Sequence, residues 1–138
     1  MTKTVREVMT SKLCSIDSDE TVAYAAKMMR DEDVGIAPIV EGNRLVGVLT
    51  DRDIAVRVVA EGLDRQQTKV TEVMSRDIVT LDPDQDLEEA LRLMARHQVR
   101  RLPVVEEDGR LVGVVAQADV AQQADEQQTG KVVEQISR

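Results

Sequence analysis

RLVGVLTDRDIA, residues 44–55, returns almost unchanged as RLVGVVAQADVA, residues 110–121. Each version reads as an apolar run of strand character that breaks at a polar corner and continues as a helix. The first corner carries Thr50 and Asp53. The second keeps the carboxylate as Asp119 but has Ala116 in place of the hydroxyl. A chain that carries one corner twice and keeps the hydroxyl once invites two questions: how far the repetition extends, and what the hydroxyl is for.

The repetition runs nearly the whole length. VREVMTSKLCSIDSDETVAYAAKMMRDEDVGIAPIVE, from Val5, lies over VTEVMSRDIVTLDPDQDLEEALRLMARHQVRRLPVVE, from Val70, at an offset of 65 residues, and one inserted residue raises it to 66 before the RLVG segments. A long unit present only twice is not a solenoid array. Two units too small to bury a good core separately are expected to pack as a pseudo-twofold pair.

Each copy reads in the same order. A short helical turn (EVM) leads to a brief strand, LCSI or IVTL. Asp17 with Glu20, and Asp82 with Gln85, have the spacing of a capping box and predict the helix starts, with Pro83 as a first helical residue. Val22, Ala25, Ala26 and Met29, matched by Leu87, Ala90, Leu91 and Met94, form the buried stripe of that helix. Two strands follow, opened by Pro38 or Pro103 and joined at the turn signals GN and EDG. The last helix is IAVRVVA, closed by Gly62, in copy one, and the more polar DVAQQADEQQ in copy two. The expected fold is thus α/β (α+β), with two tandem β-α-β-β-α repeats at residues 1–64 and 65–123. Residues 61–68 form the linker, and 124–138 a polar tail or surface helix.

The composition narrows the function. With 42% hydrophobic residues the chain is globular, and with one Tyr and no Phe or Trp its core is aliphatic. A net charge of −8 and the lack of aromatic stacking platforms argue against nucleic acid. One nucleotide is different, because a local Arg pair can hold its phosphate. The opening MTKTVREVMT has no signal-peptide apolar core, and no run approaches the roughly 18 apolar residues of a membrane span. A single Cys allows no intrachain disulfide, so a cytoplasmic protein is expected.

Thr50-x-x-Asp53 supports two compatible readings. The hydroxyl and carboxylate can cap the helix that follows. A helix start also presents free N–H groups to a phosphate, and the carboxylate can accept from both hydroxyls of a ribose. Copy two has Arg100 and Arg101 where copy one has Gly35 and Ile36. If equivalent segments meet near the pseudo-twofold axis, these guanidinium groups face the Thr50–Asp53 corner, where they suit a phosphate or, alternatively, form surface salt bridges.

Two tandem β-α-β-β-α copies, each with a Pro-marked strand and a terminal glycine-to-Asp corner, resemble a pair of CBS domains, the Bateman module. The likeness spans residues 5 to 123, and TDRDI, EGLD, HQVRRLPVV and RLVGVV make it similar to the stand-alone kind that has no catalytic domain. The resemblance implies an adenosine ligand, AMP, ADP or ATP, with S-adenosylmethionine as the alternative. By position Asp53 would hold the ribose and Thr50 the phosphate or ribose. Ser15, Ile36, Ala37 and Pro38 would line the adenine slot, and Arg100 and Arg101 would reach the phosphates. A weaker second site would use Thr80, Leu102, Pro103 and Asp119; with Ala116 and no facing Arg pair, it is expected to be empty or to hold a ligand without phosphates. No cofactor is required, and signalling to a partner protein is implied.

A competing reading is an interaction protein whose product is a homodimer, formed through faces that include Val56 and Val59. Cys14 is expected to be a small buried hydrophobe, His97 a surface residue at a helix end, and Asp31, Glu32 and Asp33 a solvated helix terminus. No metal set, nucleophilic triad, phosphate loop or paired-carboxylate site stands out, so the chain is not expected to be an enzyme.

Overall fold

A computed structural model of the protein describes residues 3–11 and 13–127. Of the expected polar tail or surface helix at 124–138, residues 124–127 continue the last helix, and the part from 128 onward lies outside the described residues. In chain order the elements are α1 (Val5–Val8), β1 (Ile16–Asp17), α2 (Val22–Glu32), β2 (Ile36–Glu41), β3 (Arg44–Thr50) and a single turn α3 (Asp51–Asp53). That turn runs into a π-helical segment, Ile54–Val59. Then come α4 (Val70–Val73), α5 (Leu87–His97), β4 (Arg101–Val105), β5 (Leu111–Ala116) and α6 (Gln117–Gln127). No helix among the described residues is long and apolar enough to cross a membrane.

The chain forms two compact units. Cys14–Ile78 make up one; the described residues up to Leu13, together with those from Val79 onward, make up the other. The leading turn of each repeat therefore belongs to the unit that holds the body of the other repeat. Val5 of α1 is fully buried in a core with Leu81, Leu87, Ala90, Leu91, Met94, Val104, Val115 and Val120. Val70 and Val73 of α4 sit in the core of Ile16, Val22, Ala25, Met29, Ile39, Leu49 and Val58.

The same seating recurs in both units. Ser75, just after α4, exchanges two backbone hydrogen bonds with Val48 of β3, at 2.8 and 2.9 Å, and Thr10, after α1, does the same with Val114 of β5 at 2.9 and 3.0 Å. Gly47 and Gly113 leave room for the methionine of that turn: a Cβ on Gly47 would come within 2.5 Å of Met74 Sδ and 3.0 Å of the Ser75 carbonyl, and one on Gly113 within 2.6 Å of Met9 Sδ. Gly47→Ala is therefore expected to destabilise the protein by about 1–3 kcal/mol through overpacking. Gly35→Ala, whose Cβ would have the end of the Asp51 side chain as its nearest neighbour, at 3.1 Å, should change stability by less than about 0.5 kcal/mol. Urea unfolding midpoints compare the two.

Several expected boundaries shift. Asp17 and Glu20 do not start α2. The Asp17 carboxylate and carbonyl accept from the amides of Asp19 and Glu20 at 2.9 and 3.0 Å, closing a turn. The helix begins at Val22 with Thr21 as its cap, accepting from the Tyr24 amide at 3.2 Å. Asp82 and Gln85 close the equivalent turn, and Asp86 precedes α5, so Pro83 is a buried turn residue and not the first of the helix. The spacing that signals a capping box also suits a four-residue turn, and here the turn forms.

Pro38 and Pro103 stand third in their strands and do not open them. Pro38 is opposite Val48, whose own N–H and C=O turn outward to Ser75. That makes the pair one without cross-strand hydrogen bonds, so the donor that proline lacks is not missed by β3. The linker is also tied down: the Thr68 and Arg65 carbonyls accept from the first amides of α2, those of Val22 and Ala23, at 2.9 and 3.0 Å.

Candidate functional site

The corner after β3 is a closed capping box. The Asp53 amide donates to Thr50 Oγ1 at 3.0 Å, and the Asp53 carboxylate accepts the Thr50 amide through Oδ2 at 2.9 Å. Thr50 is extended, at φ −110° and ψ 161°, so the chain leaves the strand and turns into α3 within one residue. Pairing with β2 sets Ile36 beside Thr50, and the Asp51 amide donates to the Gly35 carbonyl at 2.9 Å.

Asp53 is 8% exposed, an uncommon place for a carboxylate unless partners hold it. Beyond the Thr50 amide, the Ser75 hydroxyl lies 3.5 Å from both of its oxygens. Arg57 Nε is 3.8 Å from Oδ1 while its Nη1 donates to the Val73 carbonyl at 3.2 Å. Only the Thr50 bond is short. An ionised carboxylate accepts at about four lone-pair sites, and contacts at 3.5 Å are at the weak end of hydrogen bonding. The group is thus oriented but keeps capacity for further donors. Neither Ser75 nor Arg57 was expected in this site. Ser75 had a signal, since it aligns with Thr10 in the other copy and both are hydroxyl residues.

The remaining expected residues of the first site are placed as follows. Ser15 is half-buried and directly precedes β1, whose parallel register with β2 (Ile16 opposite Ile39) puts it on the Pro38 side. Ile36 is half-buried, while Ala37 and Pro38 are buried and Ala37 belongs to the core, so any contact it makes with a ligand is through its main chain. The fold thus gathers Ile36, Thr50 and Asp53 at one corner. Arg100 and Arg101 belong to the other unit.

In that unit the register sets Arg101 opposite Ala116, and the Gln117 amide donates to the Arg100 carbonyl at 2.7 Å. The two Arg line an open cavity of ≈ 450 Å³ with Ala116, Gln117, Ala118 and Ala121. Of the expected second set, Leu102 is in the core and Pro103 is buried, with its carbonyl accepting from the Leu81 amide at 2.9 Å. Thr80 and Asp119 are exposed, in contrast to Asp53.

Cys14 is not the buried hydrophobe expected of it. It precedes β1, is half-buried, and its Sγ lies 3.7 Å from Glu32 Oε2 at the end of α2. His97 is the exposed last residue of α5. Asp31 and Asp33 are exposed, Asp31 paired with Arg30 at 2.9 Å and Asp33 capping α2 in the left-handed region at φ 54°.

Comparison with known proteins gives one family. The CBS domain family model matches twice, at residues 5–60 and 70–126. The CBS domain-containing protein YhcV of Bacillus subtilis is 43% identical over 134 residues, covering 96% of this chain and 94% of its own. Hypoxic response protein 1 of Mycobacterium tuberculosis is 40% identical over 119 residues, covering 86% of this chain and 82% of its own. A crystal structure of Hypoxic Response Protein I, described with two coordinated zinc ions, has a TM-score of 0.78 at 39% identity and covers 87% of this chain and 98% of that one. The CBS domain pair of protein MJ0100, in complex with 5-methylthioadenosine and S-adenosyl-L-methionine, shares the fold at a TM-score of 0.76 and 23% identity, covering 93% of this chain and all of that one.

Proposed function

The chain belongs to the CBS domain family, and from that premise we propose that it is a stand-alone regulatory module that binds an adenosine ligand at the copy-one corner. One observation carries the reading: Asp53, nearly buried at the end of β3 and fixed by Thr50, Ser75 and Arg57, holds its carboxylate with unused acceptor capacity. The cis-diol of a ribose supplies two donors for such a group. Ser15, Ile36 and the main chain at Ala37 and Pro38 hold the purine, and the chain's adjacent Arg100 and Arg101 favour a phosphorylated ligand, AMP, ADP or ATP, over S-adenosylmethionine. The module works without a catalytic centre, in the cytoplasm, and passes the bound state to a partner protein.

A homodimer is part of this reading. Val56 and Val59 of the π-helical segment and the nearby Leu63 are 49%, 71% and 45% exposed, an apolar face that a second copy would cover. A monomer in sedimentation velocity at micromolar concentration would remove that part.

A zinc site, as in Hypoxic Response Protein I, fits these residues less well. Structural zinc takes four ligands; the Cys14–Glu32 contact offers two, and no group of three His, Cys, Asp or Glu gathers among the described residues.

Thermal unfolding in the presence of AMP, ADP, ATP and S-adenosylmethionine tests the ligand. A nucleotide at 100 times its Kd should stabilise the protein by about 2.7 kcal/mol, a rise of several degrees in the midpoint, and at equal concentrations the rise should be larger for the phosphorylated ligands than for S-adenosylmethionine. An unchanged midpoint with all four leaves the dimerising scaffold as the reading.

A further inference from the structure

Of the groups that meet the Asp53 carboxylate, two lead to the same place, the end of α4. We propose that Arg57 is a latch: with the corner empty it ties Asp53 to α4, and a ligand that takes the carboxylate releases that turn. The release rests on the adenosine reading of the corner, and it adds the element by which the bound state leaves the site.

Arg57 Nε stands 3.8 Å from Asp53 Oδ1, and Nη1 of the same guanidinium donates at 3.2 Å to the carbonyl of Val73, the last residue of α4. That carbonyl is one of those a helix end leaves without an internal partner. The Ser75 hydroxyl, 3.5 Å from both Asp53 oxygens, adds a contact from the same stretch. The stretch is a junction. Ser75 exchanges backbone hydrogen bonds with Val48, and shortly afterwards, between Ile78 and Val79, the chain passes from one compact unit to the other.

The strengths suit a latch that a ligand can open. The Thr50 amide bond, at 2.9 Å, belongs to the capping box and stays. The Arg57 contact is long and its side chain is 53% exposed, a pair of the kind that contributes little in water. A ribose diol brings two donors to the same carboxylate and competes for Oδ1. Arg57 also stands in the π-helical segment; there and just beyond it the Ala60 and Leu63 amides donate five residues back, to Ala55 and Val58, each at 2.9 Å. Such segments are rare and gather at functional sites. Copy two is built differently. Its last helix is α-helical from Gln117 to Gln127, the position of Arg57 is Gln123, which accepts from Lys3 Nζ at 2.6 Å, and its carboxylate, Asp119, is exposed.

Coupling is reciprocal, so a latch that the ligand opens must also weaken the ligand. Amide hydrogen exchange and calorimetry on the full chain test both sides. Without ligand, Arg57→Met, which keeps the apolar stem, and Asp53→Asn should each speed exchange at the Met74 and Ser75 amides by up to about fivefold, the worth of one exposed pair. Circular dichroism should stay as in wild type. Saturating AMP should produce the same rise at these two amides in wild type while β2 and β3 gain protection. Arg57→Met should show no further rise and should bind AMP up to about fivefold more tightly; a side chain that merely supported the fold would weaken binding when removed. Unchanged exchange at Met74 and Ser75 in ligand-free Arg57→Met overturns the latch, whatever binds. AMP that binds wild type without the rise, or binds Arg57→Met more weakly, overturns it and leaves the nucleotide reading standing. No binding of AMP, ADP or ATP to wild type overturns the nucleotide reading and the release together, an outcome that the ligand-free comparison tells apart from failure of the tie itself.

Discussion

Asp53→Ala is expected to abolish adenosine-ligand binding and to lower stability by about 1–3 kcal/mol, the cost of leaving buried polar partners unsatisfied. The stability loss follows from the capping box: the Thr50 amide loses its acceptor at 2.9 Å, and the Ser75 hydroxyl and Arg57 lose the group they face. The binding loss follows from the chemistry of a diol, which needs two acceptor oxygens on one rigid group. Asp53→Asn separates the two effects. Its amide oxygen can still accept from Thr50, so unfolding should change by less than about 1 kcal/mol, whereas one acceptor replaced by a donor should weaken nucleotide binding at least about tenfold. Chemical denaturation and calorimetry on the same samples give both numbers. An Asp53→Asn protein that binds AMP as wild type does would confine Asp53 to the helix cap.

Val5→Asp is expected to be the most damaging single change in the leading turns, lowering stability by roughly 4 kcal/mol or more, because it buries an unpaired charge. Val5 is fully buried, and its neighbours are residues of copy two: Leu81, Leu87, Met94 and Val115 among them. Hydrogen exchange should therefore show lost protection concentrated between residues 79 and 120, not in the repeat to which Val5 belongs by sequence. Val70→Asp should do the converse, exposing amides of α2, β2 and β3, whose core it shares with Ile16, Ile39 and Leu49. Loss of protection in the repeat that carries the substitution would contradict the exchange of leading turns.

Much of this was legible beforehand where local chemistry and pattern agree. Thr50-x-x-Asp53 after an apolar run meant a strand-to-helix corner, and both of its hydrogen bonds are present. The stripe of Leu87, Ala90, Leu91 and Met94 is buried throughout, and its copy-one counterpart is buried at Val22, Ala25 and Met29. What was not legible depends on which element a residue meets. VREVM and VTEVM look alike in either repeat, and nothing in the letters says that each seats on the other copy's strand. Gly47 and Gly113 carry that information only once Met74 and Met9 are seen above them. That Arg101 stands opposite Ala116 within its own unit is set by the β4–β5 register and not by the letters. Pro38 and Pro103 looked like strand openers because proline lacks a donor, yet they sit opposite Val48 and Val114, whose own polar groups turn outward to Ser75 and Thr10, so β3 and β5 do not miss that donor. The Asp17 and Asp82 turns mimic helix caps because both motifs fold a side-chain oxygen back onto an amide two or three residues on.

The central claim is that an adenosine ligand occupies the corner built by Thr50 and Asp53. It is tested most directly by recording amide chemical shifts of the ¹⁵N-labelled chain during titration with AMP. Saturable shifts at Ile36 and at Thr50 through Ile54, absent in Asp53→Asn at the same concentrations, are the predicted result. A folded protein whose amides at these positions stay unmoved at millimolar AMP, ADP and ATP would contradict it.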